Sequence, residues 1–395
     1  MKAIFMKKTL FFIALIFSVV QIYSVDSDPL LVVTIMVKNE EQVIAETLRP
    51  FLEAGVTSYL VFDTGSTDNT VEVTRTLFEQ YEVTQGHIKQ EAFVNFAVSR
   101  NRAIELTEEL FPEAEFIFMI DAEWYTKNVK GLLEFCTQNR TNPILSYLIK
   151  MSQGNDNFVS YQQRLFKAHE GIRFEGAVHE CLNTAITCKL PDDIFFVWDP
   201  REQGIIKSQQ RWLRDKDLLL QEQEKSPRNP RTLFYLAQTY ECLGSLEEAR
   251  YWYAKRCEVQ AWGEEDYMAH YRLAQMYEYL DNWDKALAYY IKAYSLRPTR
   301  VEPLVKLAEH YRSVGDFATG FLFAMRACML PYPQEDTLFI DKVFYDYVRY
   351  DLLGIHAWYV QEYEIGKKAV QKALLVQPDA PHLQQNLQLY LEKLP

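Results

Sequence analysis

Residues 31–41 read LVVTIMVKNEE, from Leu31 to Glu41. The run 31–37 is apolar but for Thr34. Without polar alternation it predicts a strand buried on both faces, as in sheets covered by helices on each side. The polar tail Lys38, Asn39, Glu40 and Glu41 then falls at the strand's carboxyl end, where open α/β sheets hold ligands. Residues 40–53 continue with helical spacing, placing Val43, Ile44, Leu48 and Phe51 on one face.

The same alternation extends outward. Residues 58–62 (SYLVF) predict a second strand, and 63–70 (DTGSTDNT) a turn capping a helix over 71–81. A weak third strand covers 87–90, a helix 94–110, and a strong strand 115–120 (EFIFMI). Later strands over 144–151 and 160–167 suit a pair. Strand–helix alternation predicts a mainly parallel, Rossmann-like α/β sheet domain over 29–200.

Beyond Pro200 the period changes. Tyr235-Leu236-Ala237-Gln238-Thr239-Tyr240 is echoed by Arg272-Leu273-Ala274-Gln275-Met276-Tyr277 and by Lys306-Leu307-Ala308-Glu309-His310-Tyr311. Turns follow at Gly244, Asp281 and Gly315, and small residues at Ala249, Ala286 and Gly320. A degenerate fourth unit carries Gly354, Gly366, Ala373 and Pro378. The period is near 34 residues, and the units resemble the tetratricopeptide repeat, a helix–turn–helix module. An all-α repeat solenoid is expected over 227–395, joined by a helical linker over 201–226.

Composition narrows the function. The chain has 395 residues, enough for two or three domains. A net charge of −12 disfavours a nucleic-acid polymer as partner. Six cysteines without a CxxC pair exclude a zinc module and a disulfide scaffold, although Cys181 and Cys188 are close enough to pair in an oxidising compartment. Lys2, Lys7 and Lys8 precede an apolar stretch over 10–20 that is short for a membrane span. Residues 1–24 therefore read as a signal peptide cleaved after Ser24, or as an uncleaved signal anchor. The protein is expected to be exported or membrane-anchored.

Several residues are placed for chemistry. Asp63 ends an apolar strand, where a carboxylate has no packing reason to sit. Asp121 and Glu123 bracket one residue at the end of the strongest strand. On extended chain both point to one side, and hard oxygen ligands suit Mg²⁺ or Mn²⁺. Val178-His179-Glu180 sets an imidazole beside a carboxylate, a candidate metal or diphosphate contact and a candidate general base. Arg100 and Arg102 lie two apart on a helix, so at most one faces the site. Arg164 is a further cation for a diphosphate.

In order, VKNEE, DTGSTDNT, SRNRA, the acid-x-acid strand end, RLFK and FEGAVHE resemble family 2 glycosyltransferases of the GT-A fold. The similarity extends to bacterial members with a tetratricopeptide tail, such as peptide S-glycosyltransferases and lipopolysaccharide-core glycosyltransferases. The resemblance implies a nucleotide-sugar donor, commonly a UDP-sugar, and a protein, peptide or glycan acceptor. By it, Lys38, Asn39, Glu40, Asp63 and Arg100 bind the donor. Asp121, Glu123 and His179 hold a divalent metal, Mn²⁺ or Mg²⁺, and Glu180 activates the acceptor in an inverting single displacement. Two departures stand out: Glu123 replaces the usual second Asp, and Trp124 replaces the acid that often follows. The alternative is a non-catalytic binding or scaffold protein on a degenerate transferase fold, and the repeats offer a surface for a protein partner.

Overall fold

A computed structural model describes residues 29–152, 158–198 and 202–394. The 1–24 signal or anchor segment lies outside the described residues. Among these no helix is long and apolar enough to cross a membrane.

The first elements are β1 (Leu31–Val37), α1 (Ile44–Glu53), β2 (Ser58–Asp63), α2 (Thr70–Gln80), β3 (Gln85–Gln90), α3 (Phe96–Leu110) and β4 (Phe116–Ile120). Their strands lie side by side as β3-β2-β1-β4, all parallel. Side chains sort by the two-residue strand period. Val33, Ile35, Tyr59, Val61, Phe116 and Phe118 pack with α1 and α2. Val32, Leu60, Phe62, Ile117 and Met119 pack with α3 on the opposite face. Two cores thus sandwich one sheet, which explains why β1 lacks polar alternation. Its Thr34 is paid for by a buried hydroxyl partner, Thr107 of α3, at 2.9 Å.

Helix α1 starts later than its apolar spacing suggests. Backbone N–H groups ahead of it are engaged elsewhere: Asn39 donates to Ser66 Oγ, Glu40 to Thr70 Oγ1 and Glu41 to Asp68 Oδ2. The loops after β1 and β2 are zipped together by these bonds.

The remainder of the sheet adds antiparallel pairs to the parallel ones. It contains β5 (Trp124–Lys127), α4 (Val129–Gln138), β6 (Ser146–Ser152), β7 (Phe158–Lys167), the small pair β8 (Phe174–Glu175) and β9 (Cys181–Leu182), then β10 (Thr187–Lys189) and β11 (Phe195–Trp198). The order continues β4-β7-β6-β11-β5; β10 and β11 also run parallel to β6, while β4–β7, β6–β7 and β11–β5 are antiparallel. The physical reason is connection length: only residues 153–157 separate β6 from β7, too few for the crossover that parallel pairing needs. The sheet is mixed.

Linker helix α5 (Glu202–Lys225) leads into helix pairs α6 (Pro230–Cys242) and α7 (Leu246–Cys257), α8 (Gly263–Tyr279) and α9 (Trp283–Leu296), and α10 (Glu302–Ser313) and α11 (Phe317–Met329). A two-residue strand, β12 (Ile340–Asp341), and a π-helical turn (Phe344–Val348) precede α12 (Arg349–Tyr359) and α13 (Tyr363–Val376), with α14 (Pro381–Lys393) as cap. The C-terminal region is an all-helical solenoid of tetratricopeptide type. Ala249 and Ala286 are fully buried where helices meet. Gly320 and Gly366 sit at equivalent close approaches. The solenoid also touches the sheet: β12 pairs antiparallel with the start of β7. The six cysteines are free thiols, so Cys181 and Cys188 are not bridged.

A methyl group added at Gly320 meets the ring of His356, which is fully buried with Nε2 3.0 Å from the Ala308 carbonyl. Gly320→Ala should therefore destabilise the solenoid by about 1–3 kcal/mol. Gly263→Ala, which faces open space, should not. Chemical denaturation followed by circular dichroism checks the pair.

Candidate functional site

Strand order makes a crevice. From β1 the chain moves one way to β2 and β3, then returns across β1 to β4, so the carboxyl ends of β1 and β4 border a topological switch point. Lys38 follows β1 and is exposed, and Asp121 follows β4. Ile35 and Ile120 are register partners, which sets these two loops beside each other.

At this point four charged side chains meet. Arg100 comes from α3, Asp121 from the end of β4, Arg164 from β7, and Glu180 from the loop before β9. Arg100 Nη2 donates to Asp121 Oδ1 at 2.6 Å. Its Nε lies 2.6 Å from Glu180 Oε1, an ion-pair contact without hydrogen-bond alignment. Arg164 donates from Nη2 to Asp121 and from Nη1 to Glu180, both at 3.4 Å. The Arg164 guanidinium also lies over the Trp124 ring, 4.9 Å from its centroid. Side-chain exposure falls from 26% at Asp121 to 4–7% for the other three, so Asp121 is the member that faces the cleft.

The charges set the protonation states. Burial opposes ionisation of Asp121 and of Glu180, but the charges of Arg100 and Arg164 outweigh it and hold both carboxyls below their ordinary range. Burial and the like charge of Arg100 lower Arg164, whose contacts are the longer ones. Arg100 Nη1 and Arg164 Nε are buried donors without an acceptor among the described residues.

Other expected site residues sit at the same strand ends but are engaged within the chain. Asp63 is fully buried, and its carboxylate accepts from Ser66 N (3.0 Å), Ser66 Oγ (2.6 Å) and Gln90 Nε2 (2.7 Å). It shapes the turn after β2 instead of lining an open pocket. Asn39 adopts φ 58°, and its side-chain oxygen accepts from Thr67 N. Asn39 and Glu40 thus form part of the loop zipper. Arg102 points away from Arg100 and pairs with Glu91 and Glu105.

The extended-chain reading of Asp121 and Glu123 does not apply. Trp124 N donates to the Asp121 carbonyl at 3.1 Å, so the chain turns here. Glu123 is half-buried and has no hydrogen-bond or ion-pair partner among the described residues. His179 departs further. Its φ is 52°, its ring stacks on Tyr235 at 4.1 Å, and its carbonyl accepts from Arg231 of α6. Among the described residues no three His, Cys, Asp or Glu side chains form a group that could hold a metal ion. The shell of Asp121, Glu123 and His179 is therefore not formed. Glu180, locked between two arginines, is also a poor base.

One residue went unread in the sequence. Asp215 of α5 has a side chain only 6% exposed, and its Oδ1 has no hydrogen-bond partner among the described residues. Arg214 Nε lies 3.9 Å away. Burial, outweighing Arg214 and Arg211 and aided by Glu180, pushes its carboxyl up to about 6. In sequence it lies in a charged helix that reads as solvated, and only the fourfold spacing from Arg211 hints at a shared face.

Comparison with known proteins bears on the repeats. Residues 267–300 match the tetratricopeptide repeat, which spans the α8–α9 pair. No curated protein matches the chain. Similar solved structures include MamA, 15% identical over 45% of this chain and 95% of that one, with a TM-score of 0.35. YrrB, titled a TPR protein with an unusual peptide-binding site, is 16% identical over 48% of this chain and 88% of its own, with a TM-score of 0.34. A tetratricopeptide repeat protein from Parabacteroides merdae is 15% identical over 47% and 70%, also at 0.34.

Two stability measurements follow. Arg100→Met leaves Asp121 and Glu180 with only the longer Arg164 contacts and should cost about 3–5 kcal/mol at neutral pH. Because Asp121 and Glu180 have depressed pKa values, their stabilisation exists above the unfolded-state value and is lost as pH falls, so the gap between variant and wild type should narrow in acid. Asp215 has the opposite sign. Its ionisation costs stability as pH rises from the unfolded-state value toward about 6. Asp215→Asn should raise neutral-pH stability by up to about 3 kcal/mol and leave it unchanged in acid.

Proposed function

We propose that residues 29–200 form a family 2 glycosyltransferase domain of GT-A type. It moves a sugar from a nucleotide-sugar donor of the UDP class to a hydroxyl or thiol of a protein, peptide or glycan, with inversion. One observation carries the reading: ionised Asp121 faces the crevice at the β1–β4 switch point, backed by buried arginines that keep two donors without acceptors. Unfilled cationic donors behind a ligand crevice suit phosphate oxygens. Lys38, exposed at the end of β1, adds a cation on the same rim.

A divalent cation fits the residues in one limited sense. Asp121 is held ionised and Glu123 has no competing partner among the described residues, so these two carboxylates would hold an ion shared with the donor's diphosphate. When bound, it supplies charge neutralisation for the leaving group. The chain's own residues do the rest. Arg100 and Arg164 keep Asp121 and Glu180 ionised and in place, and their positive charge favours the growing negative charge of the departing diphosphate. Trp124 packs under Arg164 and against Phe196, which fixes the guanidinium instead of offering a free ring to a sugar.

The repeats begin where the cleft ends, since α6 holds His179 through Tyr235 and Arg231. An acceptor or partner protein held on the solenoid's concave surface is thereby kept near the site. The second reading, a non-catalytic scaffold, draws on the missing three-residue metal group and on the Glu123–Trp124 departure.

Thermal shift with UDP-glucose and UDP-N-acetylglucosamine, with and without Mn²⁺, separates the two. The transferase reading expects a Mn²⁺-enhanced rise in melting temperature that Asp121→Asn removes while circular dichroism stays unchanged. No shift with either sugar, under either condition, favours the scaffold.

A further inference from the structure

Strand β7 has ten residues against five in its neighbour β4. Only its last three, Leu165, Phe166 and Lys167, pair with β4. Because the two run antiparallel, the earlier half of β7 projects past the carboxyl end of β4, on the crevice side. Along one edge β7 pairs with β6, from Val159 opposite Ser152 to Phe166 opposite Ser146. Val159 also pairs with Ile340, so β12 lies on the edge opposite β6, the edge shared with β4. Between β4 and β12, over residues 160–164, no strand among the described residues takes that edge.

Two features interrupt the row. β4 leaves the line at Asp121, where the chain turns and Trp124 N donates to the Asp121 carbonyl. β7 is itself irregular there. Tyr147 of β6 faces Leu165 and Leu148 faces Gln163, which leaves Arg164 as an extra residue. Such a bulge bends its strand and re-aims a side chain. The Arg164 guanidinium accordingly meets Asp121 and Glu180. Tyr161, Gln162 and Gln163 are half-buried, within reach of water. The unpaired stretch measures about 17 Å at roughly 3.4 Å per residue, the length of a strand of about five residues.

We propose that the acceptor is an extended peptide that adds to this edge as a strand, in line between β4 and β12. The inference rests on the glycosyltransferase reading above and narrows its acceptor to a polypeptide segment. An unpaired edge directs the N–H and C=O of every second residue outward, and a second backbone is the chemistry that matches that spacing. A glycan carries no such row. The chain supplies its own precedent: β12, a segment of the repeat region, already sits on this edge, antiparallel to β7. The residues leading into β12 are likewise held by their backbone. Glu264 accepts from the N–H groups of Thr337 and Leu338, and Arg300 donates to the carbonyls of Leu338 and Phe339. A guest antiparallel to β7 carries the line of β12 back to Asp121, where β4 stops. Its side chains alternate between the two faces of the sheet. A Ser, Thr or Cys on the Arg164 face then lies beside the ionised Asp121 carboxylate, at the switch point.

The test uses the full chain with UDP-glucose, UDP-N-acetylglucosamine and Mn²⁺. UDP release is measured with water alone, with a pool of blocked hexapeptides carrying Ser, Thr or Cys at the third position and mixed residues elsewhere, and with a pool of mono- and disaccharides. The peptide pool should raise release by about tenfold or more over water, as an oriented acceptor does, and the saccharide pool should not. Two further peptide pools carry N-methyl groups on the odd or on the even amides. One of the two should lose the rise, because alternate N–H groups of an antiparallel strand face its neighbour. Hydrogen exchange of the amides over 160–164 should slow with the unmethylated pool. Release that rises with saccharides alone, or with neither pool, overturns the peptide acceptor and leaves the transferase reading standing. Equal rises with both methylated pools, or unchanged exchange over 160–164 at a peptide concentration that saturates release, overturn strand addition. A chain that neither binds UDP by thermal shift nor releases it from either sugar overturns both.

Discussion

Four charges, three of them nearly out of reach of water, constrain the sheet domain. Arg100, Asp121, Arg164 and Glu180 sum to zero, and each is tolerable only while the others are in place. They come from α3, β4, β7 and the loop before β9, so those segments must meet in one register. Two apolar layers hold them there. Phe118 and Leu165 pack on one face of the sheet, Ile117 and Phe166 on the other. The aromatic rings of Trp124 and Phe174 flank the guanidiniums.

The same cluster explains how the two regions are joined. Left-handed backbone at His179 sends adjacent side chains in opposite directions. Glu180 turns inward to the arginines, while His179 turns outward onto Tyr235. Arg231 then grips the His179 carbonyl and pairs with Glu265 of the next repeat. A second attachment lies at β12, where Arg300 anchors the preceding loop through the carbonyls of Leu338 and Phe339. The helix-repeat region is thus tied to the sheet domain at two places, at His179 and at the start of β7.

Local patterns carried much of the fold into view from sequence. LVVTIMV is β1, and the repeated Leu-Ala and Tyr positions mark the inner helices of the solenoid, because periodicity records burial directly. Pairing direction was less legible: β7 runs antiparallel to β4, a consequence of its hairpin with β6 and not of its own residues. At the site, residue types were visible but their partners were not. Asp63 looked available because nothing local showed Gln90 reaching it from β3. Asp121 and Glu123 looked aligned because the turn between them is set by the fold. Asp215 was hidden because its burial comes entirely from segments distant in the chain.

A crystal structure of the chain grown with UDP and Mn²⁺ is the most direct measurement of the central claim. The account predicts density for the diphosphate between the carboxyl ends of β1 and β4, in contact with Asp121 or with an ion it holds. Nucleotide bound elsewhere, or a crevice unchanged at saturating UDP with the four-charge cluster intact, would contradict it.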